Sequence, residues 1–190
     1  IKNESQKVIE ALGEEYIFST DYHSSLPLTV HNLLMKSDHT IATAESCTGG
    51  GIAKLLTEFP GASKYFKGGI VAYDNKIKTN LLDVKSDSID KFGAVSAEVA
   101  LEMARNTRKK LYSSIGISIS GIAGPDGGSP AKPVGTFFIG FSSEKIETSY
   151  KFFFSSSRDF IRTFSAYKAL DITRRFLLEA RPPSDAIPEL

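Results

Sequence analysis

The stretch Thr40-Ile-Ala-Thr-Ala-Glu-Ser-Cys-Thr-Gly-Gly-Gly51 decides how the chain folds. Its first half, to Glu45, is short, β-branched and apolar, the composition of a buried strand. Three glycines follow, and Ile52-Ala-Lys-Leu-Leu-Thr-Glu58 then takes helical spacing until Pro60-Gly61 stops it. A strand that turns through glycine into a helix is the opening of an α/β unit. It also brings backbone N–H groups and the positive end of a helix to the end of a strand, where an anion or a developing oxyanion can be held. Close packing of strand on helix, with Ser46 or Thr48 as N-cap, accounts for the same residues. The pattern leaves both readings open.

Outward from this unit the elements alternate. Pro27 to Met35 reads as a helix before the strand. Gly68-Gly-Ile-Val-Ala-Tyr73 reads as a second strand and Asn75 to Leu82 as a short helix. Ser96 caps a helix that runs through Val99, Ala100 and Met103, and Ile115 to Ser120 is a further strand. Gly121 to Pro133 is a loop dense in Gly, Pro and Asp. Gly135 to Phe141 and Ile146 to Phe154 form a hairpin around Ser143-Glu-Lys145. A long helix, Asp159 to Ala180, closes the order, with apolar positions at Ile161, Phe164, Ala169, Ile172, Phe176 and Leu177. Strands interleaved with helices predict an α/β fold whose sheet is covered on both faces, parallel in part, with an antiparallel hairpin added.

Residues 1–25 fit this order least and read as a junction or linker, the end of a preceding domain. Within them Glu4 to Leu12 suits a short helix and Tyr16 to Phe18 a short strand. Residues 26–180 form the domain, and 181–190, opening on Pro182-Pro-Ser-Asp185, a frayed tail. The chain starts on Ile, as a fragment or processed product does.

Composition narrows the function. With 190 residues, 41% hydrophobic and 24% charged, this is a folded domain. A formal charge of +1 gives no electrostatic reason for a nucleic-acid partner or an acidic membrane surface. No apolar run has membrane-spanning length and no signal-peptide core is present, so a cytoplasmic protein is expected. One cysteine excludes an internal disulfide, and with three scattered histidines it makes no zinc site.

Ser46 and Cys47 compete as nucleophile. If both lie on a strand, adjacent side chains face opposite sides and only one reaches a cleft. A serine needs a base, yet His23, His31 and His39 all precede the strand in peripheral segments, and the sequence is not the Gly-x-Ser-x-Gly elbow. A lysine serves as base when burial lowers its pKa. Tyr73-Asp-Asn-Lys-Ile-Lys78 ends the second strand, where the crevice of an α/β sheet opens. Lys76 and Lys78 diverge on a helix, so one of them faces inward, and the spacing does not say which. The loop from Gly121 can line a pocket with backbone donors, with Asp126 as an acceptor, or can be a rigid connector. Arg158 and Arg162, at i and i+4, share one helix face: a phosphate or carboxylate clamp, or two solvated arginines.

Five segments together carry a resemblance: Ala44-Glu-Ser-Cys-Thr-Gly-Gly50; Tyr73 with Asn75 and Lys78; Gly93-Ala-Val-Ser96; Gly121-Ile-Ala-Gly-Pro-Asp-Gly-Gly128; and Lys132-Pro-Val-Gly-Thr136. In this order they resemble the CinA C-terminal domain family, the nicotinamide-nucleotide amidohydrolases, over roughly residues 27–180. The resemblance implies a three-layer α/β/α sandwich with a mixed, partly parallel sheet. It implies hydrolysis of the carboxamide of nicotinamide mononucleotide to nicotinate mononucleotide and ammonia, with no cofactor and no metal. Ser46 is then the nucleophile and Lys78 its partner, with Tyr73 as an orienting or proton-relay hydroxyl. Cys47, Thr48, Gly49, Gly50, Asn75, Gly121, Ala123, Gly124, Arg158 and Arg162 are expected around the substrate, Arg158 ahead of Arg162 for the phosphate. A non-catalytic nucleotide-binding or regulatory module of a longer CinA-like protein is the alternative, and the long apolar last helix is compatible with a homodimer.

Overall fold

The computed structural model describes Ser19, Asp21, residues 23–179 and the backbone of Ile187–Pro188. The junction elements expected within residues 1–18 and the tail at Pro182–Asp185 lie outside the described residues. Ile187 and Pro188 pair with Lys151 and Tyr150, so this part of the expected tail is a strand.

The elements are α1 (Leu26–Lys36), β1 (Ile41–Glu45), α2 (Gly51–Leu56), a 3-10 turn (Ala62–Lys64), β2 (Phe66–Val71), α3 (Asn75–Leu82), α4 (Ser86–Phe92), α5 (Ala97–Lys110), β3 (Ile115–Gly121), β4 (Thr136–Ser142), β5 (Glu147–Phe153), α6 (Arg158–Leu177) and β6 (Ile187–Pro188). The sheet order is β2-β1-β3-β4-β5-β6. β1 is parallel to β2 and β3, while β3, β4, β5 and β6 pair antiparallel in turn. The sheet is therefore mixed, and helices on both faces make it a three-layer α/β/α sandwich. The hairpin turns where expected, with Ser142 opposite Glu147.

Strand alternation explains the layers. Ile115, Ile117 and Ile119 of β3, with Phe137, Ile139 and Phe141 of β4, point into one core shared with α1, α2 and α6. On the other face most intervening positions are small, Gly116, Ser118 and Ser120 of β3 and Gly140 of β4, with Phe138 packed against Ala97 and Ala100. α5 lies directly on them, and Ser118 Oγ donates to the carbonyl of Ala100. A Cβ at Gly140 would overlap that same carbonyl, so glycine is required there by the closeness of the helix. A second apolar cluster, with Leu82, Val84, Val99 and Met103, fills this side.

Caps set the helix starts. Ser25 accepts from Leu28 N to begin α1, Asp74 from Lys76 N to begin α3, and Ser96 from Val99 N to begin α5, as its sequence suggested. α4 was not expected, because Ser86 to Phe92 buries only Ser88 and has no apolar stripe. Its support is tertiary: Glu102 of α5 accepts from Lys85 N (2.8 Å) and Ser88 Oγ (2.6 Å).

Candidate active site

β1 ends at Glu45, and Ser46 to Gly50 turn the chain into α2. Gly49 and Gly50 hold φ of 62° and 100°, the left-handed region that lets the turn be this tight. Because β1 has already ended, the opposite-faces rule does not apply to its next two residues. Ser46 and Cys47, both past the end of the strand, line one cavity.

That cavity, about 220 Å³, lies where the chain leaves the C-terminal ends of β1, β2 and β3. Ser46 and Cys47 come from the first turn, Tyr73, Asn75 and Lys78 from the start of α3, Gly121 and Ala123 from the end of β3, and Arg158 from the start of α6. β1 continues through α2 on one face, and β2 continues through α3, α4 and α5 on the other. A crevice opens where the connections diverge. Eight of the residues singled out in the sequence are thus brought together by elements far apart in the chain.

Lys78 is 2% exposed, whereas Lys76 lies in solvent, so the fold separates two lysines that the spacing could not. Burial pushes the Lys78 amine below its ordinary value of 10.5, with Asp74 and Cys47 opposing the shift. Its Nζ donates to the Tyr73 carbonyl at 3.1 Å. No hydrogen bond joins Ser46 Oγ to Lys78 Nζ. Tyr73 is 59% exposed, and its hydroxyl accepts from Arg158 at 3.2 Å. Arg158 also donates to the Gly124 carbonyl at 2.6 Å, tying the β3–β4 loop to the cavity mouth. Gly124 therefore presents an acceptor to Arg158. Asp126 is exposed and does not line this cavity.

Cys47 is buried, and burial pushes its thiol up to about 12, helped by the charge of Glu45 and opposed by the N–H groups of Cys47 and Thr48 and by Arg162. The thiol is protonated at neutral pH and lacks the thiolate a cysteine nucleophile needs. The histidines are elsewhere: His31 hydrogen-bonds the Tyr65 hydroxyl at 3.0 Å and His39 the Ser114 hydroxyl at 3.2 Å.

Thr48, Gly49, Gly50 and Arg162 do not line the cavity. They build the turn behind it. Glu45, which the sequence reading passed over, organises them. Its buried carboxylate accepts from Thr48 Oγ1 (2.7 Å), Gly50 N (3.0 Å), Ile52 N (3.0 Å) and Ala53 N (2.8 Å). Three main-chain donors at the start of α2, those of Gly50, Ile52 and Ala53, are thereby taken by the protein's own carboxylate. Gly49 N donates to the Ser46 carbonyl at 3.0 Å. The one available clue was an acidic residue closing a buried strand just before a glycine turn. Arg162 reaches in from α6 and donates to the carbonyls of Cys47 (3.0 Å) and Thr48 (3.1 Å). Lys132, of the fifth motif, donates to the carbonyls of Phe92 and Val95, both at 2.7 Å, and pins the β3–β4 loop to the start of α5.

Among the described residues no helix is long and apolar enough to cross a membrane. The family model of the CinA C-terminal domain matches residues 23–177. Among curated relatives, the chain is similar to a CinA-like protein of Cytophaga hutchinsonii, 48% identical over 168 residues, covering 88% of this chain and 40% of the relative. A CinA-like protein of Microcystis aeruginosa is 46% identical over 175 residues, covering 90% of this chain and 42% of the relative. The chain thus spans about two fifths of the length of these relatives. Solved structures with a similar fold include a CinA superfamily protein of Klebsiella pneumoniae, with TM-score 0.78, 26% identity and coverage of 81% of this chain and 96% of that one. Another is the competence/damage inducible protein of Agrobacterium tumefaciens, with TM-score 0.74, 30% identity and coverage of 80% and 96%.

Proposed function

The chain belongs to the CinA C-terminal domain family, and from that premise we propose that it hydrolyses the carboxamide of nicotinamide mononucleotide to nicotinate mononucleotide and ammonia. The observation that carries this reading is a buried lysine amine, its proton affinity lowered by burial, in the same cavity as Ser46. A serine hydroxyl attacks an amide when a neutral base takes its proton, and a desolvated lysine supplies that base near neutral pH.

In this mechanism Lys78 removes the Ser46 proton as Oγ bonds to the carboxamide carbon. The carbonyl π electrons move to oxygen, where backbone N–H groups of the Cys47–Thr48 turn receive the charge. The protonated lysine then gives its proton to the departing nitrogen, and ammonia leaves. Water, deprotonated by the same amine, cleaves the acyl-serine to nicotinate mononucleotide and free Ser46. The cavity takes the pyridine carboxamide, and the phosphate lies toward the mouth, where Arg158 is exposed. Tyr73 orients Lys78 through its carbonyl and Arg158 through its hydroxyl.

The second reading, a nucleotide-binding module without catalysis, is favoured by one observation: Lys78 Nζ is bonded to Tyr73 and not to Ser46 Oγ. Ammonia release from nicotinamide mononucleotide by the purified chain separates the two. Release is expected for wild type, with Ser46→Ala and Lys78→Met reduced by roughly 100-fold or more in kcat and Cys47→Ala retaining most of it. A folded wild type that binds the nucleotide but releases no ammonia establishes the module reading. Loss of activity in Cys47→Ala with full activity in Ser46→Ala would transfer the nucleophile's role to the thiol.

A further inference from the structure

Arg162 is one helical turn from Arg158 on α6, yet the two do different things. Arg158 faces the cavity, whereas Arg162 lies on the far side of the nucleophile turn and spends its Nε and one terminal nitrogen on the carbonyls of Cys47 and Thr48. The guanidinium also sits close against Gly49, where a Cβ would stand 3.3 Å from it.

Peptide geometry gives this contact a consequence. The Cys47 carbonyl and the Thr48 N–H belong to one trans peptide plane and point in opposite directions. Holding the carbonyl toward α6 therefore holds the Thr48 N–H away from α6, on the cavity side. That peptide follows directly on Ser46 and Cys47, which line the cavity. Four neighbouring donors are committed: Gly49 N to Ser46, and Gly50 N, Ile52 N and Ala53 N to Glu45.

We infer that Arg162 is a positioning residue: by clamping the Cys47 and Thr48 carbonyls it aims the Thr48 N–H at the place where the oxyanion forms, and it is not a ligand of the substrate phosphate. The inference rests on the reading of Ser46 as nucleophile. A bidentate clamp on two carbonyls needs the planar fork of arginine, and a lysine, with a single charged point, does not replace it.

The test compares Arg162→Lys and Arg162→Gln with wild type on nicotinamide mononucleotide and on its phosphate-free riboside. Both variants should lose roughly 100-fold in kcat, as a displaced oxyanion donor does. KM for the mononucleotide should change little, and the same loss should appear on the riboside. A KM rise on the mononucleotide that Arg162→Lys repairs and the riboside does not show would make Arg162 a phosphate ligand and overturn the inference. A second readout needs no knowledge of the natural substrate: the rate at which a fluorophosphonate labels Ser46 should fall by a similar factor in both variants, and an unchanged rate overturns the inference. If wild type is labelled but hydrolyses no mononucleotide, the substrate assignment fails and labelling alone decides the role of Arg162. If wild type is neither active nor labelled, both fall together. Wild type also provides a measurement free of folding defects. Titrated with inorganic phosphate, it should shift the Arg158 Nε–H resonance and leave that of Arg162 in place; a moving Arg162 signal overturns the inference.

Discussion

Glu45 shows how a single side chain fixes a candidate nucleophile it never touches. Four donors converge on its carboxylate, three of them main-chain N–H groups of the turn and first helical turn, and it is 1% exposed. Removing the acceptor leaves those donors unpaired, at about 1–3 kcal/mol for each one that is fully buried, as those of Thr48 and Ile52 are. Glu45→Ala is accordingly expected to lose on the order of 3–5 kcal/mol, the range for an uncompensated buried partner. Glu45→Gln keeps the shape but points an NH2 group at a donor, and about 2 kcal/mol should go. Urea unfolding measures both, and a Gln variant with an unchanged midpoint would show that the carboxylate does not hold the turn. Beyond an acidic residue closing a buried strand, little of this was legible in the sequence, because what makes Glu45 special is the orientation of backbone groups that only the completed turn provides. The choice of Lys78 over Lys76 is a milder case: the spacing says that one faces inward, and only the packing of α3 says which.

At the scale of elements, the sequence was most legible where a period is enforced. The isoleucines of β3 and the aromatic and branched residues of β4 announce one buried face, and Ser143-Glu-Lys145 announces the hairpin between β4 and β5. The opposite face speaks less plainly, since its message is the absence of side chains. Gly116, Ser118 and Gly140 read as weak strand formers until α5 is laid across them, and then they become the reason it fits. Gly140→Ala would force a Cβ onto the Ala100 carbonyl, a backbone atom that cannot swing aside. We expect a loss of about 3 kcal/mol, the upper range for overpacking. Gly51→Ala is the contrast within the glycine run: its Cβ would meet Thr48 and Ala166 at an ordinary 3.5 and 3.6 Å, and its φ is not left-handed. That variant should stay within about 0.5 kcal/mol of wild type. Thermal unfolding of the pair tests the account, and equal losses would refute it. α4 stayed unread for the reason already given: its hydrogen bonds run to Glu102 on another helix, and no local pattern encodes them.

For the molecule as a whole, the α/β order, the mixed sheet and the crevice where strand connections diverge were foreseeable, because each follows from runs of residues read in order. The cavity was foreseeable only as a meeting of motifs. The resemblance supplied roles for Ser46 and Lys78, and the turn that follows β1 at Glu45 supplied the fact that Ser46 and Cys47 line the same space. Burying an amine in that space weakens the fold that holds it. The folded-state pKa of Lys78 is lowered below 10.5 by burial. Below the folded value the amine is charged in both states, and the folded state carries the full cost of a buried ammonium. Between the folded value and 10.5 the unfolded chain binds more protons than the folded one, so stability rises with pH across that window. Lys78→Met, which keeps the length and drops the charge, should therefore melt at a higher temperature than wild type near neutral pH. Its advantage should shrink as pH climbs toward 10.5, while ammonia release is lost at every pH. Melting curves of the two proteins across that range check the sign. An advantage that stays constant or grows with pH would mean that Lys78 is not desolvated in the folded state, and would remove the physical basis for a neutral lysine base beside Ser46.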